Sequence, residues 1–128
     1  RPSIMSTIKA NTLLHSDGST TTQPSIPALD QRMASAWVNF NGTGTVAIRD
    51  SYNVSSITDI TTGQYLVNFT TSTSNSNYSC ALGSNASVTN QGGFNRILTF
   101  NRYYVQIRHY ENGQQVDTDI MSAIVFAN

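Results

Sequence analysis

The stretch SAWVNFNGTGTVAIRDSYNVSSI, Ser35 to Ile57, decides the fold. It holds the only Trp of the chain and three β-favouring runs in succession. Trp37, Val38 and Phe40 open the first run. Asn41-Gly42-Thr43-Gly44 then predicts a hairpin connection, with Asn-Gly taking positive φ. Val46 and Ile48 alternate with Thr45, Ala47 and Arg49, and Asp50-Ser51 breaks that run. Tyr52, Val54 and Ser56 continue against Asn53, Ser55 and Ile57. Nothing in the stretch carries a catalytic arrangement.

More strands follow on the C-terminal side. Asp59 to Gly63 reads as a turn, and Tyr65, Val67 and Phe69 then alternate with Gln64, Leu66 and Asn68. Residues 70–79 are nine-tenths Ser, Thr or Asn, the composition of a surface loop. Tyr78, Cys80 and Leu82 make the next strand, and Gly83 to Gly93 is rich in turn residues. Arg96, Leu98 and Phe100 follow. Tyr103, Val105, Ile107 and His109 line one face of another strand, expected inward, against Tyr104, Gln106, Arg108 and Tyr110. Asn112-Gly113 predicts a second tight hairpin, and Asp119 to Asn128 closes the chain as a last strand. Roughly eight short strands at spacings of about 8–12 residues predict an all-β, antiparallel, jelly-roll-like sandwich over residues 35–128. Its expected core is Trp37, Phe40, Val46, Ile48, Tyr65, Val67, Phe69, Cys80, Leu98, Phe100, Val105, Ile107, Ile124 and Phe126.

Residues 1–34 read differently, as an extended N-terminal arm. Met5-Ser6-Thr7-Ile8-Lys9 has the form of a natural start, which makes residues 1–4 an expected extension. Ile8 to Leu14 has a weak strand alternation, Ser16 to Ser19 signals a turn, and residues 19–25 are almost wholly Ser, Thr, Gln and Pro. Pro24 and Pro27 favour extended backbone. The helix candidate is Ala28 to Ala36, with Leu29 and Met33 spaced i, i+4. A polar arm of this kind needs a partner to order it. Its apolar residues Ile8, Leu13, Leu14, Ile26, Leu29 and Met33 are the expected assembly contacts, with sister chains or a larger assembly as partners.

Composition narrows the function. Only 11% of the 128 residues are charged, against about 25% in ordinary domains. Ser, Thr and Asn take their place. Seven basic and seven acidic residues cancel, which argues against a nucleic-acid partner, since phosphate binding needs a basic footprint. No apolar run approaches the ~18 residues of a membrane span, so no membrane insertion is expected. Cys80, the single cysteine, reads as a buried thiol, and a chain without disulfides is expected to fold in a reducing compartment.

Chemistry-bearing residues are sparse. His15 and His109 are too few for a metal site within one chain, although copies of one histidine meeting on a symmetry axis would form one. Asp117-Thr118-Asp119 reads as a turn rather than a calcium or glycosidase half-site. Gly-x-Ser-x-Gly, Walker and Cys–His patterns are missing, so no catalytic residue, metal or cofactor is assigned. Asn41, Asn53, Asn68, Asn77 and Asn85 each open an Asn-x-Ser/Thr triplet, a frequency that this Asn-, Ser- and Thr-rich composition produces by chance. Tyr103, Tyr104 and Tyr110 cluster with Arg102 and Arg108. Tyr104, Arg108 and Tyr110 are the expected surface contacts, for a protein interface or a sugar platform.

Three segments carry a family resemblance: Trp37 to Arg49 (WVNFNGTGTVAIR), Tyr52 to Asp59 (YNVSSITD) and Gly63 to Phe69 (GQYLVNF). Together they closely resemble a tail-fibre-like module of tailed bacteriophages, frequent in phages of cyanobacteria and other aquatic bacteria. Met5 to Leu13 and Ile124 to Asn128 resemble the beginnings and ends of short phage reading frames of the same kind. The resemblance implies a homotrimeric virion-surface protein and transfers no catalytic residues. Two roles then stand as expectations. One is a capsid cement, or decoration, protein whose arm anchors to the major capsid protein or other virion proteins. The other is the receptor-binding head of a tail fibre that recognises host surface polysaccharide. A depolymerase would need a carboxylate cluster that the sequence lacks.

Overall fold

Trp37 and Phe40 lie three residues apart, so a strand of period two cannot turn both inward. In the computed structural model, which describes residues 5–85 and 93–128, strand β1 (Ala36–Asn41) buries Ala36, Val38 and Phe40 and turns Trp37 outward. The last strand, β9 (Met121–Phe126), makes the same choice. It buries Met121, Ala123 and Val125 and turns Ile124 and Phe126 to the surface. The two strands pair with Trp37 opposite Ile124 and Val38 opposite Ala123, so the outward residues share one face. The expectation that Trp37, Ile124 and Phe126 are core is therefore corrected. In β1 the outward phase is Trp37, Asn39 and Asn41, so Trp37 lies on the polar face, whereas β9 has apolar residues on both faces and alternation cannot say which of them is inside.

Two antiparallel sheets pack face to face in an all-β sandwich, with 48% of the described residues in strand and 3% in helix. One sheet has the order β2-β1-β9-β5, with β2 at Ala47–Tyr52 and β5 at Ser79–Ser84. The other has the order β3-β4-β7-β6, with β3 at Val54–Thr61, β4 at Gln64–Phe69, β6 at Gly93–Phe100 and β7 at Tyr104–Glu111. A two-residue strand β8 (Gln114–Gln115) extends β7 as a hairpin. Phe40 and Tyr65 meet edge to face between the sheets, ring centroids 5.1 Å apart. Val67, Val105 and Ile107 fill the centre beside them, and Phe69 is buried nearby. Val46, Ile48 and Cys80 pack partly buried around that centre, and Leu98 is half-buried. Phe100 is 40% exposed, because it ends an edge strand, yet it meets the buried Tyr78 edge to face with ring centroids 5.1 Å apart.

Local signals set several boundaries. The break between β2 and β3 is Asn53, with φ of 55°, rather than Asp50-Ser51. Asn tolerates this left-handed backbone, and its amide ties the corner to Ser35 O and Thr71 O. Asn112-Gly113 takes φ values of 49° and 76°, the double positive φ of a tight hairpin. Asn41-Gly42 does not follow the same rule. The positive φ of that loop falls on Gly44, while Gly42 is required because a side chain there would strike Thr118 O at 2.8 Å and the Tyr65 hydroxyl. Tyr103, expected inward, is 60% exposed. It sits in the two-residue connection closed by Asn101 and Tyr104, with Arg102 over its ring at 5.3 Å.

The N-terminal residues carry one short helix, α1 (Pro27–Asp30), in place of the expected Ala28–Ala36. Proline at its start fixes φ, and no side chain caps it. The alternating stretch Ile8–Leu14 forms no strand, since no neighbouring strand accepts its backbone. The expected extension at residues 1–4 and most of the turn-rich stretch at 83–93 lie outside the described residues.

Candidate assembly surfaces

Three regions hold residues that the fold itself does not account for: the arm, the outer face of the four-stranded sheet, and the outer face of the five-stranded sheet. A fourth, a buried polar cluster, was not foreseen.

All six expected arm contacts are exposed: Ile8 at 86%, Leu13, Leu14, Ile26, Leu29 and Met33. Among the described residues, no hydrogen bond joins residues 5–34 to the sandwich. The bonds of the arm are local turns such as Gly18 N–H to His15 O and Ser19 N–H to Asp17 Oδ1. His15 lies in the first of these turns, 3.1 Å from Asp17. The arm is nevertheless brought beside the sandwich. Leu13, Leu14 and Met33 line a cavity of about 400 Å³ together with Trp37 and Tyr52.

Trp37 has a second side. On the outer face of the four-stranded sheet it walls a groove of about 460 Å³ with Asn39 and Ile124. The floor is Ala81, Gly83 and Ser122, small side chains that leave the sheet surface low. A side chain at Gly83 would meet Ser122 Oγ at 2.7 Å, so glycine keeps that floor open. Tyr52, Ile124 and Phe126 add exposed apolar surface on this sheet. Apolar contiguity of this kind marks contact surfaces in soluble proteins.

The outer face of the five-stranded sheet is polar by contrast. Asn68 Nδ2 donates to Ser56 Oγ and Thr58 Oγ1, Thr99 Oγ1 donates to Gln106 Oε1, and Arg108 Nε donates to Gln64 Oε1. The expected contacts Tyr104, Arg108 and Tyr110 do share this face, as strand alternation requires, though each is half-buried rather than freely exposed. Arg108 Nη1 reaches the Tyr110 hydroxyl at 3.2 Å, and Tyr110 stacks on Phe94 of β6 at 4.8 Å with near-parallel rings. Phe94 is 48% exposed and completes an aromatic pair that the sequence did not single out. Its opposition to Tyr110 depends on the β6–β7 register.

His109 does not face outward toward an axis. It is 1% exposed, with Nε2 2.9 Å from Glu111 Oε1 and Nδ1 2.8 Å from Asn95 Oδ1 and 3.2 Å from Ser84 Oγ. Glu111, 2% exposed, shares its strand face two residues on. The cluster joins β5, β6 and β7 and therefore ties the two sheets at one end. Ser84, His109 and Glu111 have the contacts of a nucleophile–base–carboxylate chain. Yet the nearest group to Nδ1 is Asn95, and the ring is sealed inside the sandwich. We read the cluster as a satisfied polar bridge, which is what a buried pair requires. Histidine and glutamate at i, i+2 in a strand was a usable signal, because both sit in the inward phase of Val105 and Ile107.

Asp117 is likewise structural. Its Oδ1 accepts from Gly63 N–H at 2.7 Å and from the Tyr65 hydroxyl at 2.9 Å. Burial, then the adjacent Asp117 carboxylate, raises the Tyr65 phenol well above the usual tyrosine range. Burial also pushes the Cys80 thiol up to about 11, so it is a poor nucleophile at neutral pH. Four of the five triplet asparagines hold the fold with their amides: Asn41 to Thr43, Asn53 to Thr71, Asn68 to Ser56, and Asn85 to Thr118. Among the described residues no group of three or more His, Cys, Asp or Glu is placed to hold a metal, and no helix is long and apolar enough to cross a membrane. No family model, curated protein or solved structure matches the chain.

Proposed function

We propose that this protein is a structural component of a bacteriophage virion surface, a homotrimeric cement protein of the capsid. Its arm attaches the chain to neighbouring subunits, and its sandwich forms the exposed head. The observation that carries the reading is the arm: six apolar side chains exposed on a segment with no hydrogen bond to its own sandwich among the described residues. Exposed apolar residues on an extended segment are what strand- or groove-docking uses. The nearly uncharged, hydroxyl- and amide-rich sandwich suits a head with an inert surface. The resemblance of the Trp37–Phe69 segments to phage modules supplies the virion context.

The test is the stoichiometry and the phenotype. Copy number in purified particles is expected to match the capsid subunit, and deletion of the gene is expected to leave adsorption normal and heads fragile. Copy number matching the tail, with loss of adsorption, would overturn the cement role in favour of a receptor-binding head. The stack of Phe94 and Tyr110 beside Arg108 and Gln64 favours that second role, since aromatic and planar polar groups together suit host polysaccharide.

A further inference from the structure

The register of β6 and β7 sets two arginines side by side on the outer face of the five-stranded sheet. Arg96 stands directly opposite Arg108. Opposed residues of an antiparallel pair have Cβ atoms about 5 Å apart, and like charges there repel. The chain has only seven basic residues, so a pair of them at one point sets this spot apart from a nearly uncharged surface. Nothing within the sheet offsets the repulsion. The ion pairs of the described residues are His15–Asp17 and His109–Glu111, so neither arginine is neutralised. The outward neighbours of Arg108 on β4 and β7 include the amides Gln64 and Gln106, which carry no charge.

Arg108 is also held in place. Its Nε donates to Gln64 Oε1 at 2.9 Å and its Nη1 to the Tyr110 hydroxyl at 3.2 Å. Gln64 is itself only 8% exposed, which makes it a fixed support. Nη2 has no partner among the described residues, and neither has the exposed fork of Arg96. Two residues along the same strands, Phe94 and Tyr110 stack at 4.8 Å, and Phe94 is 48% exposed. A guanidinium fork matches a planar carboxylate, and a fork already held loses little freedom on binding. An exposed ring matches the C–H face of a pyranose. A sugar acid offers both groups on one unit. Nucleic acid also joins an anion to a flat ring, but its phosphates need a track of cations, which two arginines at one point of a chain with zero net charge do not supply.

We propose that Arg96 and Arg108, flanked by the Phe94–Tyr110 stack, bind the carboxylate of an acidic polysaccharide. The inference rests on the polysaccharide-binding role given second above and names the class of sugar.

The test is calorimetric titration of the full chain with fragments of oligogalacturonate, alginate and hyaluronate, and with methyl-esterified oligogalacturonate, which keeps the ring and loses the charge. Binding of an acid is expected, with an affinity that falls as salt rises. The ester should bind about tenfold more weakly or worse, and Arg96→Gln should weaken binding of the acid by about as much. Arg96 is exposed and has no partner to lose, so thermal unfolding of that variant should match the parent. Phe94→Ala should weaken binding but keep its salt dependence, because it removes no charge. The proposal is overturned if none of the acids binds, if the ester binds as tightly as its acid, or if Arg96→Gln binds the acid as the parent does. Tighter binding of a single-stranded oligonucleotide than of any of the acids would also overturn it, in favour of a nucleic-acid surface. The two readings fail separately. Loss of adsorption on gene deletion, with no binding of the acids, leaves a receptor-binding head without this site. Binding of an acid by a protein present at capsid copy number leaves the site and removes only the fibre role.

Discussion

His109 and Glu111 show how much a single side-chain pair can carry in a chain so poor in charge. Each is almost fully buried, and the ring bridges Glu111 on β7 to Asn95 on β6 and Ser84 on β5. Replacing His109 by Leu removes the bridge and leaves a buried carboxylate without the ring, so a loss of about 3 kcal/mol is expected in urea unfolding. A change under about 0.5 kcal/mol would mean that the bridge is dispensable. Tyr65, Tyr78 and Cys80 supply the pH dependence. Burial pushes Tyr78 up to about 12 and Cys80 to about 11, from ordinary values of 10.0 and 9.0. The native chain holds these protons longer than the unfolded chain does. Their stabilisation is therefore complete below pH 9 and falls as pH rises through 9–12. Chemical denaturation across that range should show the fall, and Cys80→Ser should flatten its first part. A curve that stays level between pH 9 and 12 would contradict the burial of these groups.

At the scale of elements, β9 is the strand whose face had to be decided. Met121 is inward and 0% exposed, while Ile124 on the same strand faces out at 36%. Met121→Ala is expected to cost about 2–5 kcal/mol through the cavity it leaves. Ile124→Ala should stay within about 0.5 kcal/mol in the isolated chain. Equal costs would mean that the face assignment is wrong. The β4 strand needed no such decision. Its alternation of Tyr65, Val67 and Phe69 against Leu66 and Asn68 is regular, and its bounds match the reading from the residues. Helix α1 failed in the opposite direction. The i, i+4 pair Leu29 and Met33 points to a longer helix, but nothing packs against it to favour more than one turn.

The whole molecule divides by how its parts are held. The sandwich has interdigitated sheets, long-range polar ties such as Asp117 to Tyr65, and an aromatic row of Phe69, Tyr78 and Phe100. The arm has local turns and exposed apolar side chains. Removing residues 1–34 is therefore expected to leave the unfolding temperature within a few degrees of the parent. It should also abolish incorporation into particles, measured by co-sedimentation. A large fall in unfolding temperature would show that the arm is part of the core, and normal incorporation would show that it is not the attachment.

The sequence by itself determined what depends on near neighbours. Strand succession followed from period-two patterns in β4 and β7, the tight hairpin from Asn112-Gly113, and the contrast of arm and sandwich from composition. Tertiary structure alone decided what depends on packing across the chain. It turned Ile124 and Phe126 out and Val125 in, because a strand such as β9, apolar on both faces, leaves that choice to its partners. It set Phe94 against Tyr110, brought Asn95 and Ser84 to His109, and gave Gly42 its purpose under Tyr65. Each of these joins residues from different strands, and register and sheet order exist only once the two sheets have packed.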